Sequence, residues 1–156
     1  MPLKYKVLPE QRLLVGVFHG TLPPDEYMGG IDELGQNPAF EPNFDRLGIL
    51  HNDLDLSMFG LKEFRAIRDR MAQTYYGGKP PQDKGKSSYR IAAVSIPSIN
   101  DTMLKLYTAT LATSLLSKVS MKIFPELGSA LRWLGHDNLI EDFQSRDWID
   151  FMNVRP

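Results

Sequence analysis

The run Leu13-Leu14-Val15-Gly16-Val17-Phe18 constrains this chain most, because apolar residues fill it almost without a break. A half-exposed strand alternates apolar and polar residues, whereas a near-continuous run is the pattern of a strand covered on both faces. The chain must therefore build layers on both sides of a sheet, with this segment as a central strand. Lys4 to Leu8 is a second, alternating β-segment, and the turn-like Pro9-Glu10-Gln11 between the two predicts an opening hairpin.

Helices and strands then follow one another. Pro23-Pro24-Asp25-Glu26 opens a helix, with proline in the first turn and two carboxylates favourable to the helix dipole. Tyr27, Ile31 and Leu34 give it an apolar stripe. Gly29 and Gly30 weaken it by about 1 kcal/mol each, so either this helix is marginal or something packs closely there. Residues 35–44 read as a loop and 46–51 as a strand. A long helix follows with Leu61, Phe64, Ile67 and Met71 on one face, Ser57 as its expected N-cap and its end near Gly77. Residues 77–88 form a Gly/Pro/Lys-rich connection, in which Lys79, Lys84 and Lys86 surround Asp83 as a local basic loop; a solvated loop is preferred to an acidic partner's site.

Residues 89–96 are the next strand. A helix over 100–117 carries Leu104, Tyr107, Leu111 and Leu115, and residues 119–124 are the last strand. Pro125-Glu126 opens a helix with Leu127, Ala130, Leu131 and Leu134 on one face, stopped by Gly135. The expectation is one α/β domain over residues 1–135, in ββαβαβαβα order. Its five-stranded sheet is mixed and mainly parallel, with helices on its faces. Residues 136–156 form an acidic tail carrying Leu139, Ile140, Phe143, Trp148, Ile149 and Phe151, which needs a surface on its own domain or on a second subunit.

Composition narrows the function classes. At 156 residues and 42% apolar content the chain can bury a core of its own. Its net charge of -1 supplies no field for nucleic acid. Having no cysteine excludes disulfides, thiolate metal sites and thiol nucleophiles. The apolar run ending at Phe18 is short and contains a glycine, so it is not a signal peptide, and no stretch reaches the roughly 18 apolar residues that cross a bilayer. By elimination, cytoplasmic residence without stable membrane insertion is expected.

Four segments in order, RLLVGVFHGTL, DRLGILHNDLDLS, YRIAAVSIPS and KIFPELGSALRWLG, resemble the SpoIIAA-like, STAS-type domains. Small, uncharacterised bacterial STAS-like proteins are similar in the last strand and helix, here Phe124-Pro125-Glu126 and Ala130 to Leu134. The resemblance covers about residues 4–135 and implies the fold more than a function. In anti-sigma-factor antagonists of this fold, a serine or threonine in a pattern like Asp-Ser-Ser-Gly-Leu is phosphorylated to release a partner. This chain has Asp55-Leu56-Ser57-Met58-Phe59-Gly60-Leu61, without the tandem hydroxyls and with two extra residues before the glycine. A looser resemblance extends to CRAL-TRIO lipid-transfer proteins, which hold an apolar ligand beneath helices.

Ligands of open α/β sheets sit beyond the carboxyl ends of the parallel strands. His19 and His51 fall there, followed by Asn52, Asp53, Asp55 and Ser57, which together make a candidate rim for a partner or ligand. An imidazole oriented by a carboxylate is conceivable chemistry, against the plainer reading of strand-exit residues that hold loop amides. Ser57 is a candidate phosphoacceptor at a helix start, against a capping role. The three histidines lack ligand spacing, so no metal is expected; no nucleophile or phosphate-loop motif is present, so neither a catalytic residue nor a cofactor is assigned. Phe59, Phe64, Met71, Tyr75 and Tyr76 could line an apolar pocket, as could Met103, Tyr107 and Trp133; packing of the core is the preferred account.

The favoured reading is a non-enzymatic, regulatory STAS-like module that binds a protein partner, or itself as a homodimer, through the rim near Ser57. The alternative is a carrier or sensor of a small apolar, lipid-like ligand, which a core cavity of a few hundred Å³ would favour and a fully packed interior would exclude. The third is an enzyme using a strand-end His/Asp site.

Overall fold

β1 (Leu3–Leu8) and β2 (Leu13–Phe18) form the expected antiparallel hairpin, with Leu8 opposite Leu13. Arg12 closes the turn at a φ of 52°, and its N–H donates to the Pro9 carbonyl at 3.2 Å. These features belong to a computed structural model that describes residues 2–79, 88–95, 101–113 and 118–153.

β3 (Asp45–Leu50), β4 (Ser88–Val94) and β5 (Lys118–Phe124) add in chain order, each parallel to the strand before it. The result is an α/β domain on a five-stranded sheet of order β1-β2-β3-β4-β5. β2 is an interior strand as its apolar run requires, but β3 is the middle one. Parallel neighbours need long crossovers. These are α1 (Pro24–Gln36), α2 (Leu61–Tyr76) and α3 (Asp101–Ala112), which share one face of the sheet. α4 (Leu127–Trp133), α5 (Leu139–Asp142) and α6 (Arg146–Met152) cover the other.

Alternation along each strand sorts side chains between the two layers. Leu13, Val15, Leu47 and Ala92 enter the α4–α6 layer, where they meet Leu131, Leu134 and Phe143. β1 shows the same logic: Lys4 and Lys6 point to that layer and lie over the aromatic rings of α6, with Lys6 Nζ 4.5 Å from the Phe151 ring centre. Phe143 stacks on Trp148 at 4.0 Å. The acidic tail therefore covers its own sheet with its apolar side, and its short helices α5 and α6 are elements the apolar pattern did not mark out.

At the opposite end of the strands, Asp45 and Arg90 tie the sheet to α4. Arg90 Nη2 donates to Asp45 at 2.8 Å, and its guanidinium also donates to the carbonyls of Trp133 and Leu134, which end that helix.

Two expectations about helices need correction. Ser57 does not cap α2; the N-cap is Gly60, with no side-chain cap, and Leu61 is the first helical residue and 42% exposed rather than part of the packed stripe. The close approach at α1 lies further along than expected. A methyl on Gly29 would meet nothing and one on Gly30 would touch Leu3 at an ordinary 3.5 Å, whereas one on Gly35 would overlap Thr74 Cγ2 of α2. The end of α2 is as expected: Gly77 is left-handed at φ 60°, and the N–H groups of Gly77 and Gly78 return to the Gln73 and Ala72 carbonyls. Asp83, Lys84 and Lys86 of the basic loop and Leu115 of the third helix lie outside the described residues.

Candidate functional site

Beyond the ends of β2 and β3 the two chains continue side by side. His51 N–H donates to the Phe18 carbonyl at 2.9 Å and Asp55 N–H to the Gly20 carbonyl at 2.8 Å, and Thr21 bridges Asp55 in parallel register. This pairing brings the six predicted rim residues to one edge. The His19 and His51 rings stand edge to face with centres 6.2 Å apart.

The rim's polar groups largely hold the loop itself. Asp53 Oδ1 accepts from Gly20 N–H at 3.2 Å. Asp55 Oδ1 accepts from Ser57 N–H at 2.8 Å, and Oδ2 accepts from Thr21 Oγ1 at 3.4 Å. Bonds from Ser57, backbone first, hold the Asp55 carboxyl below its ordinary range. His51 Nε2 lies 2.7 Å from the Met152 carbonyl; since a carbonyl only accepts, that nitrogen donates, and α6 rather than a carboxylate orients it there. Asn52 to Ser57, with Phe59 and Met103, border an open depression of about 500 Å³.

Beneath this depression the same apolar side chains pack as a core cluster and also border a space. An apolar cavity of about 150 Å³ occupies the layer between the sheet and α1–α3. Leu54, Leu56, Phe59 and Met103 form a wall common to the cavity and the depression. Phe64, Met71, Tyr75 and Tyr107 line the cavity as the pocket reading had it. Tyr76 does not, and Trp133 lies in the other layer against Phe124, with ring centres 5.6 Å apart.

The cavity has a specific origin in the strands. Gly16 pairs with Gly48, and Gly48 with Ala93, so three adjacent strands present almost no side chain at one level of the sheet. All three residues line the space. On either side of this floor the sheet carries full-sized side chains, Leu14, Arg46 and Ile91 at one level and Phe18 and Leu50 at the other. A glycine in each of two strands that must pair was the available signal, but it becomes legible only once the register is known.

Tyr27 and Tyr107 reach across the cavity from α1 and α3, their hydroxyls 2.7 Å apart. Burial raises both phenols above their ordinary range, Tyr107 well above it, so both stay neutral donors. Burial likewise raises Tyr75 and Tyr89 against the opposing pull of Arg46. Among the described residues of the lining, Arg46 is the one charged side chain.

Set against protein-family models, curated proteins and solved structures, the chain finds no match. The site is therefore read from its own geometry. Among the described residues, no helix is long and apolar enough to cross a membrane, and no group of three or more His, Cys, Asp or Glu side chains could hold a metal ion.

Proposed function

We propose that this protein binds a small apolar molecule in the space beneath α1–α3, as its carrier or sensor in the cytoplasm. One observation carries the reading: an apolar cavity of about 150 Å³ over a floor built from Gly16, Gly48 and Ala93. Apolar surface left uncovered in such a space is unfavourable, by roughly 25 cal/mol per Å². A bound ligand offsets that cost. The volume is below that of drug-sized pockets, which start near 300 Å³, and suits a molecule of about one ring, since cavities of this size admit benzene.

The test is to fill the floor. A methyl placed on Gly48 meets only the Phe18 side chain, at 3.6 Å, so Gly48→Leu adds bulk on the floor without a backbone clash at Cβ. In native mass spectrometry and calorimetry with benzene, the native protein should bind and Gly48→Leu should not. Equal binding by both contradicts the reading.

A second reading has its own observation. The depression over the cavity shares a wall with it, and Met58 and Leu61 stand beside that loop 52% and 42% exposed. The STAS-like resemblance supports using this rim for a regulatory protein contact, including a homodimer. Sedimentation should then show a dimer that Met58→Asp dissociates; a monomer at every concentration removes self-association.

A further inference from the structure

We propose that the molecule held in this cavity is a monocarboxylate with a compact apolar body, its carboxylate bound by Arg46; the proposal rests on the cavity reading and names its ligand class. Arg46 projects from β3 on the same face as Gly48 and lines the cavity. Arg46 is partly buried, and a cation beside an otherwise apolar lining favours an anion over a neutral ligand. Among the described residues no carboxylate lies within ion-pair distance of it. Glu33, which meets the lining residue Tyr5, accepts from its Oη at 2.6 Å.

What holds Arg46 leaves its recognition edge open. Nη1 donates to the carbonyls of Pro42, at 2.7 Å, and Phe44. The flat of the guanidinium rests on Tyr89, 3.6 Å from the ring centre, with Phe40 at 5.2 Å. Nε and Nη2 donate to nothing among the described residues. These two nitrogens form a fork whose spacing matches the two oxygens of a carboxylate. The group is thus anchored and stacked, with one bidentate face unassigned.

Spacing sets the ligand's length. Residues two apart on a parallel strand are separated by about 6.6 Å, so the floor at Gly48 begins about that far from the Arg46 level. A carboxylate on a ring, or on a short chain, spans this distance. At the far end Tyr27 and Tyr107 bond each other, which uses one hydroxyl hydrogen and leaves the other as a donor. A small polar substituent opposite the acid would be accommodated there.

The experiment compares benzoate with benzyl alcohol and benzamide, which match it in shape but carry no charge, by calorimetry on the native protein at neutral pH. Benzoate should bind about tenfold more tightly or better, the advantage of charge-assisted hydrogen bonds. Arg46→Lys keeps the charge but lacks the fork, and Arg46→Met lacks both. In either variant, checked for folding by circular dichroism, the advantage of benzoate should shrink while benzyl alcohol binds as before. If the neutral compounds bind the native protein as well as benzoate, the carboxylate proposal is wrong and the cavity reading stands. If none of the three binds, the carboxylate proposal is wrong, and binding of benzene decides whether the cavity reading stands. A benzoate advantage that survives in folded Arg46→Met overturns the role of Arg46.

Discussion

Gly16 and Gly48 pair across β2 and β3 yet stand in different surroundings. A methyl on Gly48 would sit at an ordinary 3.6 Å from Phe18 Cε2, whereas one on Gly16 would sit at 3.0 Å from the same atom. Glycine inside a strand costs about 0.5 to 1 kcal/mol relative to alanine. Gly48→Ala should therefore raise the unfolding free energy measured in urea by that order, and Gly16→Ala should raise it less or lower it; the reverse ranking would contradict the packing described for Phe18. The helical glycines give a parallel pair. Gly29→Ala should stabilise by about 1 kcal/mol because its position is open. Gly35→Ala should destabilise, because Thr74 must move. Chemical denaturation measures both, and a stabilising Gly35→Ala would mean that α1 and α2 are less closely apposed.

Among the elements, those that carry their own period were the readable ones. β2 announced burial on both faces through its unbroken apolar run, and α2 announced its end through Gly77. What local pattern could not supply was pairing. Leu61 continues the helical stripe of Phe64 and Ile67 in sequence, but it is the first residue of α2 and has no layer above it. Ser57 precedes an apolar helix as a cap would, yet Asp55 already engages its N–H in a tight turn. The six residues proposed as a rim come to one edge because they follow strand ends, which are visible in sequence; that β2 and β3 run on as a pair to Asp55 was not. The floor of Gly16, Gly48 and Ala93 depends on strand order and register, both long-range properties. α6 is held by aromatic contacts rather than length. Trp148→Ala should cost about 1 to 3 kcal/mol through loss of the Phe143 stack and the Lys6 contact, since the ring is partly buried. A loss under about 1 kcal/mol would mean that α6 is only loosely held on the sheet.

For the molecule as a whole, stability should fall at both ends of the pH scale. Burial, aided by Arg90 and opposed by Asp45, lowers the pKa of His136 from 6.5. The unfolded chain then takes up the proton first, so this contribution is intact above pH 6.5 and is lost as pH falls through the folded value. The buried phenols act in the opposite sense. Burial raises Tyr27 and Tyr107 and lifts Tyr76 from 10.0 to about 12, so the unfolded chain loses its protons first and stability falls as pH rises above 10.0. Melting curves should decline on both sides. His136→Asn should flatten the acid limb, and an unchanged limb would assign it to other groups.

The methionines give the most direct test of the central claim, because Met71, Met103 and Met121 line the cavity while Met58 is on the surface and Met152 packs in the opposite layer. The decisive measurement is the NMR spectrum of the protein labelled at its methionine methyl groups and titrated with benzene. Saturable shifts at Met71, Met103 and Met121, with Met58 and Met152 unmoved, are the predicted result. Shifts spread over all five, or none at saturating benzene, would contradict a binding cavity beneath α1–α3.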